Sequence, residues 1–536
     1  MHLRPMQRRA MQRWAKSSNQ ARTTADRIVF RWDIERFIAK SIAINEAKPK
    51  RRQTKPNQTK PNSTWIYRPD PRVESERIAN YGYNLPDASA CDLFSNPCEK
   101  TMRKSLLLAN LILSCIPMSL ALAEDWPGWM GPNRDNQWNP KTAPNSFPAE
   151  GLKPLWSTDL AGGYSGPAVV ANRVYVTDMV TQADAKVDNF GRKAFEATER
   201  VHCIDDATGK VLWTHEYPVT YAISYPAGPR CTPIVDGDRL YTLGAEGDLI
   251  CFQAATGKVI WSKNLKQVYK TQSPLWGYAA HPLIDGDNLI TLAGGEGSQT
   301  VALNKSTGQE VWKFGTAAET GYSPPTIIQA GGVRQLILVN PQAVNSVNPE
   351  NGKPYWSIPY LADNGSIIMS PVRAGKYLFI GGYSNRNLLL ELGASQPTAT
   401  EVWRNQAKKG MSPVNVQPMV IDEVVYGCDQ SGELMAFDIA SGDRLWETSK
   451  PISARPLGSG TAFMVKNADR FFLFNESGEL LIAKITKSGY EEIARTKIIE
   501  PTNNAFGREV VWCAPAFANG SIYVRNDQKL IKVPLK

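Results

Sequence analysis

The chain has 536 residues, of which 42% are hydrophobic and 21% are charged, so it can bury a large core. Its formal net charge is +10, but residues 1–101 hold 20 basic and 10 acidic residues, so the entire excess lies there. Residues 124–536 hold 39 basic and 41 acidic residues, a balance that does not favour nucleic acid or an anionic membrane as a partner.

Residues 1–101 differ from the rest of the chain. They lack sustained periodicity and include a tract rich in Lys, Pro, Asn and Gln at 48–61. Taken as protein, this stretch would be a basic, largely disordered arm that could bind nucleic acid or a membrane. We expect instead that translation starts at Met102 and that residues 1–101 are a non-native upstream extension, because a secretory signal follows directly.

Residues 102–123 have the layout of a signal peptide, with a short basic start, an apolar run and a final Ala-Leu-Ala at 121–123. An internal transmembrane anchor is the alternative, although the run is only marginally long enough to span a membrane and contains Asn110 and Pro117. We therefore expect an exported protein, periplasmic or extracellular, that begins at Glu124 and has no transmembrane segment after cleavage.

A lipid anchor is a further alternative to a soluble exported protein. The stretch Ile112-Leu-Ser-Cys115 resembles a lipoprotein box, although Leu directly before Ser fits that pattern poorly. If the stretch is used, Cys115 carries the lipid. In either case we expect residues 124–151 to form a leader segment and residues 152–536 to form a repeat domain.

The repeat domain is marked by one phrase that ends in tryptophan. A polar residue is followed by a Gly-containing turn and then by a short strand that carries the Trp. The clearest copies are Cys203–Trp213, Cys251–Trp261, Leu303–Trp312, Val347–Trp356 and Phe437–Trp446. A unit that recurs every 43 to 57 residues cannot bury its apolar face alone and must stack on copies of itself.

A second marker, a small residue followed closely by Pro or Ala, precedes an apolar strand eight times. Pro has no N–H group, so it suits the first residue of a strand. The copies are Ser165–Pro167, Cys231–Pro233, Ala280–Pro282, Ser323–Pro325, Ser370–Pro371, Val416–Pro418, Gly460–Ala462 and Cys513–Pro515. A third marker, a tight turn followed by a strand, lies between the other two, so each unit has four strands.

These markers predict an all-β fold, an eight-bladed β-propeller of four-stranded blades. The Trp-type strands fall at Trp156, Trp213, Trp261, Trp312, Trp356, Trp403 and Trp446, with Ile493 in the eighth place. The last blade, from about Cys513, has only three strands, and the strand at 152–160 has no blade before it. We therefore expect the N-terminal strand to complete the C-terminal blade, which removes exposed sheet edges. We also expect a monomer.

Cysteine and histidine usage argues against a metal enzyme. The cysteines after residue 123 are odd in number and fall on predicted strands: Cys203, Cys231, Cys251, Cys428 and Cys513. We interpret them as buried free thiols, with a disulfide as the alternative. His202, His215 and His281 share no metal-ligand spacing. The two Asp-Gly-Asp sequences at 236–238 and 285–287 suit turns better than calcium loops.

A ligand would sit where the long, aromatic loops between blades open around the central channel. An insertion in the first blade, about Met179–Arg200, should overhang the same face. The alternative is that the aromatic side chains only plug the channel. The candidate ligand-binding residues at the channel mouth are Tyr164, Arg230, Tyr278, His281, Tyr322, Met369, Asn415 and Trp512.

The repeated Thr-Gly-Lys-x-x-Trp phrase resembles that of the quinoprotein-like (PQQ-repeat) eight-bladed propellers, over Trp126–Lys536. The stretch Trp126–Asp135 resembles the leader found before such propellers in exported proteins. The family includes pyrroloquinoline-quinone dehydrogenases and non-catalytic relatives such as the periplasmic propeller of the outer-membrane assembly machine. The dehydrogenases use an adjacent cysteine pair, a Trp beneath the quinone, calcium ligands and a catalytic Asp, and this chain has no Cys-Cys pair.

The resemblance therefore implies a non-catalytic exported propeller that binds an envelope protein, peptide or glycan on its loop face, with no cofactor, no metal and no catalytic residue. The alternative is a pyrroloquinoline-quinone-dependent oxidoreductase, for alcohols or sugars, with calcium and a degenerate site. In that case Arg230, His281, Asn415 and Trp512 would supply the polar and stacking groups.

Overall fold

The computed structural model describes residues 124–140 and 143–535. The expectations for residues 1–101, the signal peptide at 102–123 and a lipid on Cys115 lie outside these ranges. Within them, no helix has the length and apolar character needed to cross a bilayer.

Eight antiparallel four-stranded sheets form the blades of a closed ring, as predicted. Blades 1 to 4 comprise β2 (Ala168–Val170), β3 (Arg173–Val180), β4 (Phe195–Asp205), β5 (Val211–Tyr221); β6 (Ile234–Asp236), β7 (Arg239–Leu243), β8 (Asp248–Gln253), β9 (Val259–Asn264); β10 (Leu283–Asp285), β11 (Asn288–Leu292), β12 (Thr300–Asn304), β13 (Glu310–Phe314); and β14 (Thr326–Ala330), β15 (Val333–Asn340), β16 (Ala343–Val347), β17 (Pro354–Pro359).

Blades 5 to 7 comprise β18 (Val372–Ala374), β19 (Tyr377–Ile380), β20 (Leu388–Leu392), β21 (Ala399–Arg404); β22 (Met419–Ile421), β23 (Val424–Cys428), β24 (Leu434–Asp438), β25 (Arg444–Thr448); and β26 (Ala462–Asn467), β27 (Arg470–Asn475), β28 (Glu479–Thr486), β29 (Gly489–Lys497). Blade 8 comprises β32 (Ala516–Ala518), β33 (Ser521–Arg525) and β34 (Lys529–Pro534), completed by β1 (Trp156–Asp159). Each of the eight strand-entry markers leads into the innermost strand of a blade, as predicted.

Ring closure by the N-terminal strand is confirmed. Strand β1 pairs antiparallel with β34, with Trp156 opposite Lys532 and Thr158 opposite Leu530. An ion pair also joins blade 8 to blade 1. The buried Lys532 ammonium group lies 2.8 Å from an Oδ atom of Asp206 in the β4–β5 turn of blade 1. The beginning and the end of the propeller are thus joined within one sheet, which leaves no unpaired inner strand at the seam.

The repeated phrase joins neighbouring blades. The indole of Trp213 on β5, the outer strand of blade 1, donates from Nε1 to the carbonyl of Ala254 in blade 2, at 3.1 Å. A Cβ atom on Gly257 would lie 2.7 Å from that indole, so the turn passes directly over the ring. Gly257 also has φ +72°, a conformation that a side chain disfavours. The same relation links Trp156, Trp261, Trp312 and Trp403 to glycines of the blades that follow.

The prediction that Ile493 fills the eighth tryptophan position is wrong. In blades 1 to 6, a bulge in the outer pair of strands sets the position of the Trp, as where Cys203 faces Trp213. Blade 7 has the same bulge, and there Ile482 faces Ala494. Ile493 lies one position earlier and is 48% exposed. Because side chains alternate along a strand, a shift of one residue places Ile493 on the opposite face of the sheet from the Trp of the other blades.

Four local elements differ from the simple repeat. Blade 1 has long outer strands, so the insertion expected at Met179–Arg200 is partly strand and only its middle, 181–194, is a loop. A short helix, α1 (Leu265–Tyr269), follows blade 2, and a 3-10 helix spans Asp363–Gly365. A small hairpin of β30 (Asn503–Ala505) and β31 (Arg508–Val510) stands in the long loop between blades 7 and 8.

The structure also gives the positions of the cysteines, the Asp-Gly-Asp stretches and His202. All five cysteines after residue 123 are buried free thiols. The Asp-Gly-Asp stretches at 236–238 and 285–287 both form the turn between the first and second strands of a blade, which agrees with their interpretation as turns. His202 is buried and bonds through Nε2 to Asp178, at 3.1 Å, so its position is structural.

Candidate functional site

A cavity of about 380 Å³ lies on the face where the blades are joined to one another, and we call it the cup. All eight connections between blades contribute to its wall. Its aromatic lining consists of Trp129, Tyr164, Phe190, Tyr225, Trp276, Tyr322, Tyr383, Phe463, Phe506 and Trp512. The volume falls in the range of small-molecule and peptide pockets, which is roughly 300–1,000 Å³. The loops that the sequence singled out therefore enclose one site.

The leader segment, residues 124–140, runs along the turn ends of the inner strands, on the side away from the blade-connecting loops. The Trp126 N–H donates to the Val169 carbonyl at 2.7 Å, and the Val235 N–H donates to the Pro127 carbonyl at 2.8 Å. These bonds attach the leader to the innermost strands of blades 1 and 2. We call this segment the strap.

The strap then crosses the channel. The Arg134 guanidinium donates from Nη1 to the carbonyl of Pro282 at the start of blade 3, at 2.7 Å. The Trp138 N–H donates to the carbonyl of Lys466 in blade 7 at 2.9 Å. Blades 3 and 7 stand opposite each other in a ring of eight, so the strap passes from one side of the channel to the other. Its residues Trp129 and Met130 line the cup and supply its floor.

The floor is an aromatic stack. The rings of Trp129 and His281 lie 4.6 Å apart and only 13° from parallel. The Arg134 guanidinium lies over the Trp129 ring, 5.1 Å from its centroid. Burial lowers the pKa of His281 well below its usual value, and the neighbouring Arg134 cation lowers it further. At neutral pH the imidazole is therefore uncharged.

The rim of the cup carries exposed aromatic side chains. Phe190, Tyr383 and Phe506 are 53%, 38% and 56% exposed. Phe190 comes from the blade 1 insertion, which overhangs this face as expected, and its ring lies 5.7 Å from that of Trp276. Phe506 sits on the β30–β31 hairpin, 5.9 Å from Trp512. Aromatic side chains left in water around a pocket are typical of a binding surface.

The backbone at the rim is strained. Phe190, Tyr225 and Phe506 have φ values of 65°, 50° and 51°. Bulky residues rarely adopt this left-handed region, and each instance costs on the order of 1–2 kcal/mol. Strain of this kind persists where surrounding structure enforces it and is concentrated at functional sites. The rim aromatic residues are therefore held in place at a cost in stability.

Among the described lining residues, Arg230 is the one arginine or lysine. Its Nε donates to the Trp276 carbonyl at 2.7 Å, and its Nη groups donate to the carbonyls of Gly228, Ser224 and Tyr225. These bonds tie the loops after blades 1 and 2 together. The acceptors are all backbone carbonyls, and no carboxylate of the described residues neutralises the guanidinium. The wall of the cup thus has one cation that lacks an acidic partner.

The structure brings seven of the eight candidate residues together in the lining: Tyr164, Arg230, His281, Tyr322, Met369, Asn415 and Trp512. It places Tyr278 elsewhere. That side chain is 2% exposed, its ring covers Gly247, and its hydroxyl donates to the Ala293 carbonyl at 2.8 Å. Tyr278 therefore belongs to the core between blades 2 and 3. The sequence predicted that Tyr278 lines the channel mouth because it lies in a loop between blades. The ring instead fills the space that Gly247 leaves by having no side chain.

Several polar groups of the lining are already engaged. Trp512 donates from Nε1 to Glu476 at 3.0 Å, and Asn415 donates from Nδ2 to the Thr461 hydroxyl at 3.0 Å. The Tyr322 hydroxyl donates to Glu319 at 2.9 Å. Burial raises the pKa of Tyr164 to about 12, so its phenol stays protonated at neutral pH. Among described lining residues there is no Asp, Glu or Lys. The wall can pack and stack, but it holds no acid–base pair.

A quinone cofactor with calcium does not fit this donor set. Pyrroloquinoline quinone carries three carboxylates, whereas the cup offers one cation whose N–H groups are mostly used. Calcium prefers six to eight oxygen ligands, usually including carboxylates. No group of three His, Cys, Asp or Glu side chains in the described ranges could hold a metal ion. No catalytic step through such a cofactor is derived.

The sequence also matches known proteins. The profile of the family described as "Outer membrane protein assembly factor BamB" matches residues 197–448 and 342–535, more than half of the chain. The chain belongs to this family. A BamB of Yersinia pestis is 28% identical over 205 residues, which are 36% of this chain and 47% of the relative. The chain thus spans about half the length of that relative.

Solved structures with a similar course of the chain include BamB from Moraxella catarrhalis, at 16% identity, with a TM-score of 0.45 and coverage of 72% of this chain and 99% of that one. The quinohemoprotein alcohol dehydrogenase from Comamonas testosteroni is 14% identical, with a TM-score of 0.47 and coverage of 76% and 80%. A europium-containing methanol dehydrogenase is 12% identical, with a TM-score of 0.47 and coverage of 75% and 89%.

Sequence reasoning missed the contribution of the strap and the rim. Trp129, Phe190 and Phe506 line the cup but were not candidates. Trp129 lies in a leader that had been set apart from the propeller, and its position depends on contacts with distant blades. Phe190 and Phe506 lie in the insertion and the long loop that the sequence did single out. Exposed aromatic residues in those segments were the available signal.

Proposed function

We propose that this chain is an exported, non-catalytic binding protein that holds an apolar segment of another envelope protein in the cup. The observation that carries the proposal is the cup itself, an aromatic cavity closed by the strap whose described lining has no Asp, Glu or Lys. Aromatic side chains supply large contact areas at low entropic cost, and they dominate the energetics of protein recognition.

Membership of the outer membrane protein assembly factor family supports the same role. The Yersinia pestis relative bears that name, and a protein that takes part in assembly would need to hold other envelope proteins. We extend this to export into the periplasm, in agreement with the signal peptide expected at residues 102–123.

A protein segment suits the cup better than a glycan. Sugar rings bind through several hydrogen bonds in addition to stacking. In this lining, the Trp512 indole N–H and the Tyr322 hydroxyl are already bonded within the protein, and Arg230 donates four of its five N–H groups to backbone carbonyls. Apolar side chains require no such partners and gain from the burial of their surface.

The test compares three probes on the purified protein. The first is the peptide Thr-Val-Tyr-Gly-Phe with an uncharged dye at its N-terminus, followed by fluorescence anisotropy. The second is maltoheptaose, and the third is pyrroloquinoline quinone with Ca²⁺, followed by absorbance and dye reduction. We expect the peptide to bind and a Thr-Ser-Ser-Gly-Ser control not to bind. Quinone uptake with turnover, or binding of the oligosaccharide alone, would contradict the proposal.

A further inference from the structure

We infer that the cup receives the carboxyl terminus of its partner segment, with the terminal carboxylate at Arg230 and the last apolar side chains against the aromatic wall. This inference rests on the proposed function and specifies which part of the partner enters the cup. Three independent features of the site lead to it, namely its closed end, its charge and its rim.

The closed end selects a chain terminus. The strap crosses the channel between Pro282 and Lys466, and Trp129 forms the floor. A polypeptide that ran through the channel would need a second opening, which the strap occupies. A volume of about 380 Å³ is enough for two or three residues at the end of a chain. A closed cup of this size therefore suits the end of a peptide better than its middle.

The charge selects the carboxyl end. Arg230 lines the wall with four N–H groups donated to backbone carbonyls, and a guanidinium has five. The remaining N–H belongs to Nη1. No carboxylate of the described lining opposes this cation, so an ammonium terminus would be repelled and a carboxylate attracted. A charge-assisted hydrogen bond in a largely apolar wall is among the stronger polar contacts available.

The rim selects a peptide over a simple fatty acid. Tyr225 and Phe506 face each other with ring centroids 6.4 Å apart, and both have strained backbones. Phe190 stands beside Trp276 at the neighbouring part of the mouth. An acyl chain is thin and gains little from several separate aromatic rings, whereas successive side chains of a peptide each find one. The strain at the rim is explained if these rings are held ready for such contacts.

The decisive comparison needs no mutation. The dye-labelled Thr-Val-Tyr-Gly-Phe peptide is prepared with a free carboxylate and as the terminal amide, and both are titrated into the protein by anisotropy. We expect the free acid to bind at least about 10-fold more tightly, because a hydrogen bond to a charged group contributes about that much. Decanoate at the same concentration should not displace it. Equal binding of acid and amide overturns the inference, as does equal competition by decanoate.

Variants connect the preference to Arg230. The readout is the ratio of acid to amide affinity, since a general loss of loop order lowers both affinities equally and leaves the ratio unchanged. Arg230→Gln should reduce the ratio to about 1. Arg192→Gln is the matched control, because Arg192 also donates to loop carbonyls, at Ala222 and Ser273, but lies outside the cup lining. A ratio that survives Arg230→Gln overturns the inference.

The two proposals fail in different ways. If both terminal forms bind equally well, the cup still binds an apolar segment and only the assignment of the chain end is wrong. If neither form binds, while the quinone or the oligosaccharide does, the proposed function is itself contradicted.

Discussion

At most blade junctions an indole ring lies directly beneath a glycine of the next blade. Gly257 combines a φ of +72° with a distance of only 2.7 Å between its ideal Cβ position and the Trp213 ring. Gly237, in the same blade, has a similar φ of +60° but no atom within 4 Å of its ideal Cβ position. A comparison of substitutions at the two glycines therefore distinguishes the effect of backbone strain from the effect of packing against tryptophan.

Gly257→Ala should lower the free energy of unfolding more than Gly237→Ala does. Both substitutions add the strain of a left-handed side-chain residue, about 1–2 kcal/mol. Only Gly257→Ala also forces the Trp213 ring aside, which adds about 1–3 kcal/mol. Urea-unfolding midpoints of the two variants measure the difference. Equal midpoints would mean that the glycine in the repeat serves only the turn.

His281 should make the protein less stable in mild acid. Its pKa is lowered by burial in the native state, whereas the unfolded chain has the ordinary value of about 6.5. Below that pH the unfolded state binds the proton first, so the free energy of unfolding falls by up to about 1.4 kcal/mol per pH unit. His281→Gln should remove this slope, measured from thermal unfolding between about pH 5 and 7.

The control for that measurement is His215→Gln. Burial lowers the pKa of His215 as well, but the ring lies on the outer strand of blade 1 without a neighbouring cation. We expect a smaller change in slope there. Parallel stability profiles for the wild type and His281→Gln would contradict the assignment of a neutral imidazole to the floor.

The positions of individual residues could be predicted from the sequence where a residue type has the same role in every repeat. The tryptophan phrase predicted that Trp packs between neighbouring sheets and that Gly forms the turn, and at most junctions these two residues meet. It failed at blade 7, where no Trp marks the inward position, and the bulge that places Ala494 opposite Ile482 leaves no trace in composition. It also failed at Tyr278, because the space above Gly247 that this ring fills is created by a neighbouring blade.

Among the elements, the strap has two separable tasks. Trp138 is 4% exposed and packs 5.2 Å from Phe517 and 5.5 Å from Phe472, which anchors the strap in the core of blades 7 and 8. Trp129 faces the cup and stacks on His281. The first residue serves stability, and the second serves the proposed binding site.

We predict that Trp129→Ala weakens binding of the Thr-Val-Tyr-Gly-Phe probe by roughly 10- to 30-fold, as truncation of a central aromatic contact does. It should change stability much less than Trp138→Ala, which should cost about 3–5 kcal/mol. Anisotropy and urea unfolding on both variants measure the two effects. Unchanged affinity in Trp129→Ala would show that the floor does not contact the ligand.

The leader could be recognised from the sequence as a separate segment, but its path could not. Its hydrogen bonds reach Val169 and Val235 on one side and Lys466 on the other, partners that are close only once the ring has closed. A pattern of residues along the chain does not encode such distant contacts. The same reason explains why the rim aromatic Phe506 was missed, although its loop had been singled out.

At the scale of the whole molecule, the seam between blades 8 and 1 holds the ring shut. Besides the β1–β34 pairing, the Lys532 ammonium group contacts the backbone carbonyl and both carboxylate oxygens of Asp206. The Tyr523 hydroxyl also donates to that carboxylate. The fold class, the number of blades and the closure could be predicted from the sequence. The repeated markers give the length and number of the units, and the incomplete last blade requires a fourth strand.

Lys532→Met should lower the free energy of unfolding by about 3–5 kcal/mol, because it leaves a largely buried carboxylate without its cation. Lys532→Met combined with Asp206→Asn should lower it less. The control is Lys376→Met, whose partner Glu391 and own side chain are 42% and 56% exposed, and which should cost no more than about 1 kcal/mol. Similar losses in Lys532→Met and Lys376→Met would contradict a structural role for the seam pair.

The central claim is that the cup is the binding site of the whole molecule, and amide hydrogen exchange with and without saturating Thr-Val-Tyr-Gly-Phe tests it most directly. We predict that the peptide slows exchange in the loops 222–230 and 501–512 and in the strap around Trp129, while the outer strands β9 and β25 are unaffected. Protection confined to outer strands or to the turns of the opposite face, or no protection under saturating peptide, would contradict the account.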